Sequence, residues 1–163
     1  MFSLAEVYDL GIRIEKNGEK FYRDAMKQAW STPIADTLKM LAEEEVKHVD
    51  FFVKRMDALK QKRENPFLDE MSTSMLQDIL GNQTFSLKDA DVSKIRSVDE
   101  LAALAIDFER DTILFYEMIG SFMTDEEPRR ELKEIIEEEE RHVKLFESYG
   151  DKKIDLPRPN LQQ

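Results

Sequence analysis

Glu45-Val46-Lys47-His48 and Glu139-Glu140-Arg141-His142 hold both histidines of the chain, each placed three residues after a glutamate. The two tetrads lie 94 residues apart, and the same offset relates Glu15 to Glu109 and Tyr22 to Tyr116. Residues 97–146 therefore repeat the pattern of residues 3–52. In each copy a lone glutamate precedes the tetrad by thirty residues, Glu15 before Glu45 and Glu109 before Glu139. Residues i and i+3 share one face of a helix, so each tetrad offers a carboxylate and an imidazole in the same direction. Two lone glutamates and two Glu-x-x-His pairs are the ligand complement of a two-metal carboxylate site inside a helical bundle.

The surrounding sequence supplies such a bundle. Five Gly and five Pro are too few to interrupt it often, and the intervals between them carry apolar residues at helical steps of three and four. The class is all-α. A first helix is expected over about 3–30, opened by Ser3 with Glu6 three residues on, and a second over 32–62 after the Ser31-Thr32-Pro33 joint. A third is expected over 97–123, opened by Ser97 and Glu100, and a fourth over 126–149, after the turn signals Asp125 and Pro128 and stopping at Gly150. The result is one domain, residues 1–150, of two repeated antiparallel hairpins joined by a long crossover, 63–96, with a polar tail at 151–163. Within the crossover Met71, Met75, Leu76 and Ile79 are spaced as one face of a short helix ended by Gly81, suited to cover a bundle edge or meet a second subunit.

Composition narrows the function. No segment approaches the roughly 18 uninterrupted apolar residues of a membrane span, and the N-terminus lacks a secretory signal's order, so a soluble cytoplasmic chain is expected. Net charge −11 opposes nucleic-acid phosphate and anionic membranes and favours cations. With no cysteine, any metal is held by oxygen and nitrogen.

The six residues Glu15, Glu45, His48, Glu109, Glu139 and His142 are the candidate ligands, because they fall on the apolar faces of their helices. An uncompensated carboxylate there would cost several kcal/mol or take up a proton. Four carboxylates and two divalent ions are together neutral. In this reading the glutamates of the two tetrads bridge the ions, while Glu15 and Glu109 are terminal. A set of carboxylates and imidazoles suits two iron or two manganese ions; zinc could occupy it in a recombinant preparation. The Glu137–Glu140 run reads as mostly a solvated face, in which only Glu139 has the phase to point inward. Tyr22 and Tyr116 follow the lone glutamates by two turns, about 10 Å along the axis. Each is either a hydrogen-bonding or electron-relay partner of the centre or a core tyrosine with a satisfied hydroxyl. Gly18 and Thr112, small and related by the same offset, are expected to leave a pocket through which a small oxidant reaches the metals.

Through Glu15, Glu45-Val46-Lys47-His48, Glu109 and Glu139-Glu140-Arg141-His142, residues 3–62 and 97–148 resemble the rubrerythrin branch of the ferritin-like superfamily. The resemblance implies a four-helix bundle with a di-iron centre, commonly in a homodimer, reducing hydrogen peroxide or dioxygen in the cytoplasm. Two features depart from it. Thr112 stands where rubrerythrins usually carry a second glutamate used in redox-linked ligand exchange, which brings the six-ligand set close to that of bacterioferritin. The cysteine-ligated rubredoxin module that usually follows has no counterpart, so electrons would come from a separate donor such as a rubredoxin-like protein. Ferritin-type iron oxidation, a manganese catalase-like activity and a helical interaction module with a vestigial site are the alternative readings.

Overall fold

The computed structural model describes residues 2–28, 32–64, 67, 70–81, 87 and 91–151. The described residues form five α-helices: α1 Leu4–Met26, α2 Thr32–Lys62, α3 Glu70–Gly81, α4 Val98–Phe122 and α5 Glu126–Asp151, with a 3₁₀ turn at Val92–Lys94. Among the described residues there is no strand beyond an isolated bridge between Ser3 and Phe67. The fold is thus the expected all-helical, ferritin-like bundle. No described helix is long and apolar enough to cross a membrane.

Local chemistry sets the helix starts. Ser3 and Glu6 close a capping box: the Ser3 amide donates to Glu6 Oε2 at 2.8 Å and the Glu6 amide to Ser3 Oγ at 3.3 Å. Ser97 caps α4 by accepting from the Glu100 amide at 3.1 Å, but the Glu100 carboxylate accepts from the Arg96 amide instead of completing the box. At the other ends the expectations shift. The first helix stops at Met26, short of 30, with residues 29–31 outside the described set, and α5 runs through Gly150 to Asp151. The tail at 152–163 also lies outside the described residues.

Contacts between helices fix the topology. α1 packs along α2, and α4 along α5. α2 and α5 meet antiparallel: Lys62 lies 3.8 Å from Asp125, Arg55 is 3.2 Å from Glu131, and the Thr37 and Tyr149 hydroxyls bond at 2.9 Å. The connection starts with Phe67 beside Ser3, at the N-terminal end of α1, and arrives with the Val92 carbonyl accepting from the Gln28 side chain just past the C-terminal end of α1. It therefore runs the length of the bundle, which lets the second hairpin reverse direction and dock on the first.

Two apolar layers result. One contains Tyr8, Phe51, Phe52, Phe115, Tyr116 and Leu132; the other contains Phe21, Tyr22, Leu38, Leu41, Leu101 and Phe146. On each long helix the candidate ligands fall in sequence between the residues of these layers, so the polar groups occupy the middle of the bundle and are closed at both ends by packed rings.

In α3 the expected face divides. Leu76 is fully buried and Ile79 and Leu80 pack against the core, whereas Met71 is 78% and Met75 52% exposed. Residues 76, 79 and 80 form one stripe by helical spacing, and 71 and 75 form another about 100° away, so one packed surface of α4 cannot take both. Leu76→Ala is expected to destabilise the chain by about 2–5 kcal/mol, and Met75→Ala by no more than about 0.5 kcal/mol, in urea unfolding. Equal effects would place the inner face of α3 incorrectly.

Candidate metal centre

All six candidate ligands are buried, none more than 3% exposed. Glu15, Glu45, His48 and Glu139 each bring one ligand atom into a group whose members lie within 4.8 Å of one another, and Glu45, Glu109, Glu139 and His142 form a second such group. Glu45 and Glu139 belong to both. Glu139 spans the pair, with Oε1 2.9 Å from His48 Nδ1 and Oε2 2.8 Å from His142 Nδ1. The terminal glutamates sit symmetrically: Glu15 Oε2 is 3.5 Å from His48 Nδ1, and Glu109 Oε1 is 3.4 Å from His142 Nδ1. The two imidazole rings lie 6.5 Å apart at an interplanar angle of 25°. The offset of 94 in sequence has become a pseudo-two-fold axis between the shared carboxylates.

Most of the inward carboxylate and imidazole atoms make no hydrogen bond within the protein, although Glu139 lies in ion-pair contact with both rings. Both oxygens of Glu15, Glu45 and Glu139, Oε2 of Glu109, and Nδ1 of both histidines are buried without a hydrogen-bond partner. Buried polar atoms are otherwise nearly always paired, and lone pairs converging from four carboxylates and two imidazoles are what a pair of cations completes. This donor set therefore fits two metal ions.

Without cations, protons must do part of that work. Burial, then the charges of Glu15 and Glu139, drive the Glu45 carboxyl well above the usual range. Burial and Glu139 push Glu109 up to about 8. Burial opposes a charge on His48, but Glu139 and Glu15 outweigh it and raise the imidazole well above its ordinary value. His142, opposed by burial in the same way, is pushed up to about 12 by Glu109, Glu139 and Glu44. Glu139 is also opposed by burial, yet the two imidazolium rings hold it well below the usual carboxylate range.

Two residues at the centre were not anticipated from sequence. Glu138 Oε2 lies 2.9 Å from His48 Nε2, and Glu44 Oε2 lies 2.8 Å from His142 Nε2. The Glu137–Glu140 run is thus not a solvated face with Glu139 alone turned inward, because Glu138 also reaches the site. The offset that pairs Glu45 with Glu139 also pairs Glu44 with Glu138, and that was the signal available. Phase concealed it: a residue adjacent to an inward position points sideways on its own helix and meets the site only across the seam between α2 and α5. The His142 contact holds the Glu44 carboxyl low.

The symmetry breaks at the tyrosines and at Gly18. Tyr22 donates its hydroxyl to Glu109 Oε1, whereas the hydroxyl of Tyr116 is buried with no hydrogen-bond partner. The sequence relates them, but only Tyr22 touches a candidate ligand by hydrogen bond. Beside Gly18 the expected pocket is filled. A Cβ on Gly18 would stand 2.9 Å from Phe108 Cε1 and 3.1 Å from Oε1 of Glu45, so that space is already filled. Glycine is needed there to let Glu45 lie against α1. Thr112 is fully buried and donates Oγ1 to the Phe108 carbonyl at 3.0 Å.

The sequence model of the rubrerythrin family matches residues 6–149, a span that includes all six inner residues. The chain belongs to the rubrerythrin family. Searches of curated proteins and of solved structures return no significant match. Membership places the chain among ferritin-like di-iron carboxylate proteins, and the buried Glu and His groups are those able to hold metal. Thr112, which departs from the pattern the resemblance implies, turns its hydroxyl back onto its own helix.

Gly18→Ala gains about 1 kcal/mol of helix propensity but overpacks Phe108 and Glu45 at about 1–3 kcal/mol, so a small net destabilisation with reduced metal content is expected from thermal melts and metal analysis. A more stable variant with full metal would contradict the packing. pH acts on the metal-free chain through Glu45, Glu109, His48 and His142, which all hold protons more tightly folded than unfolded. Their stabilisation is full below the unfolded values, 4.5 for the carboxyls and 6.5 for the imidazoles, and is lost as pH rises toward about 8 for Glu109 and about 12 for His142. Glu139, held low, acts in the opposite sense but only below 4.5. Thermal melts of EDTA-treated protein should therefore show stability falling from about pH 5 to about pH 9, while metal affinity rises over the same window as ligands shed protons. Rising stability of the metal-free form would contradict these assignments.

Proposed function

We propose that this chain is a di-iron oxidoreductase that reduces hydrogen peroxide, or dioxygen, with electrons from an external donor. The observation that carries the reading is the pair of buried Glu and His groups sharing Glu45 and Glu139. Glu15 and His48 would complete one metal position, and Glu109 and His142 the other. Two iron ions held there supply two electrons, one each, for cleavage of an O–O bond. Reduction of hydrogen peroxide to two water molecules consumes those electrons and two protons. Iron and manganese both suit this donor set, and zinc is a plausible occupant of recombinant protein.

The residues of the chain have definable tasks in that reaction. The four glutamates balance the charge of two divalent ions, so that loading the bundle interior does not leave a net buried charge. The packed rings of the two apolar layers keep bulk water from the centre. Tyr22, bonded to Glu109, holds a proton at a terminal ligand oxygen and fixes the position of that carboxylate. No cysteine is present to form a thiolate-ligated relay within these 163 residues, so a separate protein such as one of rubredoxin type is the proposed electron donor. A cytoplasmic homodimer is the proposed state.

Thr112 favours a second reading. With no seventh protein ligand among the described residues, the centre resembles that of an iron-oxidising ferritin, which would turn over Fe²⁺ itself as substrate. Anaerobic loading with Fe²⁺ followed by stopped-flow mixing separates the readings. The proposal expects two irons per chain, oxidised much faster by hydrogen peroxide than by dioxygen and then retained. Oxidation by dioxygen followed by exchange for further Fe²⁺ would establish the iron-handling reading, and oxygen evolution from a manganese-loaded chain would establish a catalase-like one.

A further inference from the structure

Glu44 and Glu138 stand immediately before the two shared glutamates and are repeat-mates. They differ from the inner six in being partly in water, with side chains 26% and 35% exposed. Each contacts a histidine through Nε2, and the pairing is crossed. Glu138 on α5 holds His48 on α2 at 2.9 Å, and Glu44 on α2 holds His142 on α5 at 2.8 Å. The second oxygen of Glu138 is 3.4 Å from Arg141, which steadies the carboxylate at the seam.

A carboxylate accepts, so in each contact the imidazole donates from Nε2. That leaves the lone pair of a neutral ring on Nδ1, the atom that faces the inner carboxylates in both halves of the site. We propose that Glu44 and Glu138 are positioning residues, each setting the tautomer and ring orientation of the histidine contributed by the opposite hairpin, so that neither metal position is complete within one hairpin. This rests on the reading that the six inner residues hold two ions.

The crossed pairing makes the effect selective. Loss of Glu138 damages the position that contains His48, on the other helix, and leaves the one that contains the neighbouring His142. Outer carboxylates of metal-bound histidines are worth about 10- to 100-fold in metal affinity. The chain has just two histidines, so their ring nitrogens can be assigned by single substitutions in ¹⁵N-histidine-labelled protein.

The test titrates the metal-free full chain with Co²⁺, followed by ligand-field absorption, and records histidine ¹⁵N spectra of the Zn²⁺-loaded form. Wild type is expected to bind two Co²⁺, with both loaded rings protonated at Nε2. Glu138→Ala should weaken one position by about 10- to 100-fold and perturb the His48 ring alone, with Glu138→Gln, which keeps an acceptor, losing less. Adding Glu138→Ala to His48→Ala should cost little more, because Glu138 acts only through that ring, whereas adding it to His142→Ala should weaken both positions. Glu44→Ala should show the mirror pattern with His142. Wild-type affinities and ring signals in both alanine variants, or coupling of Glu138 to His142 rather than to His48, would overturn the proposal. Fewer than two Co²⁺ in wild type would instead overturn the two-metal reading beneath it.

Discussion

Four carboxylates with no measurable exposure in the middle of a helical bundle are the constraint on which the rest of this structure depends. An unpaired charge transferred from water to such an interior is very costly, and among the described residues no lysine or arginine is buried with these carboxylates. What the fold provides is two imidazoles and the capacity to take up protons. The raised carboxyls of Glu45 and Glu109 and the strongly basic histidines express one demand, which protons meet in the metal-free chain and divalent ions meet in the loaded one. Folding and metal binding are therefore coupled through the same groups.

The packing around the centre follows from that constraint. Apolar layers above and below hold the ligand-bearing segments of four helices at fixed separation, and the rings of Phe52, Tyr116, Tyr22 and Phe146 close the two ends. Gly18 belongs to this arrangement, because a single added carbon would press on Glu45, one of the two carboxylates common to both ligand groups. The pseudo-symmetry holds for the terminal glutamates, but not for the shared pair, where Glu139 lies 2.9 Å and 2.8 Å from the two histidines and Glu45 stands 3.6 Å from His48, and it relaxes further one turn away. There Gly18 faces Thr112 in the repeat, and Tyr22 is bonded where Tyr116 is not. A repeat of this kind can keep its metal geometry while its two halves acquire different surroundings.

Much of this was legible in the chain itself. Helical periodicity, few glycines and prolines, and serine caps at Ser3 and Ser97 determined four long helices, because these signals act within a few residues. The repeated Glu and Glu-x-x-His spacing determined which residues could meet, since the helix period assigns each of them to a buried face. What tertiary structure alone decided were relations between helices. The direction of Glu44 and Glu138, the burial of Leu76 rather than Met75, the filled space over Gly18 and the different surroundings of Tyr22 and Tyr116 all depend on how side chains interdigitate across a seam. Sequence periodicity describes one helix at a time, and the register of one helix against another is fixed only when both faces pack.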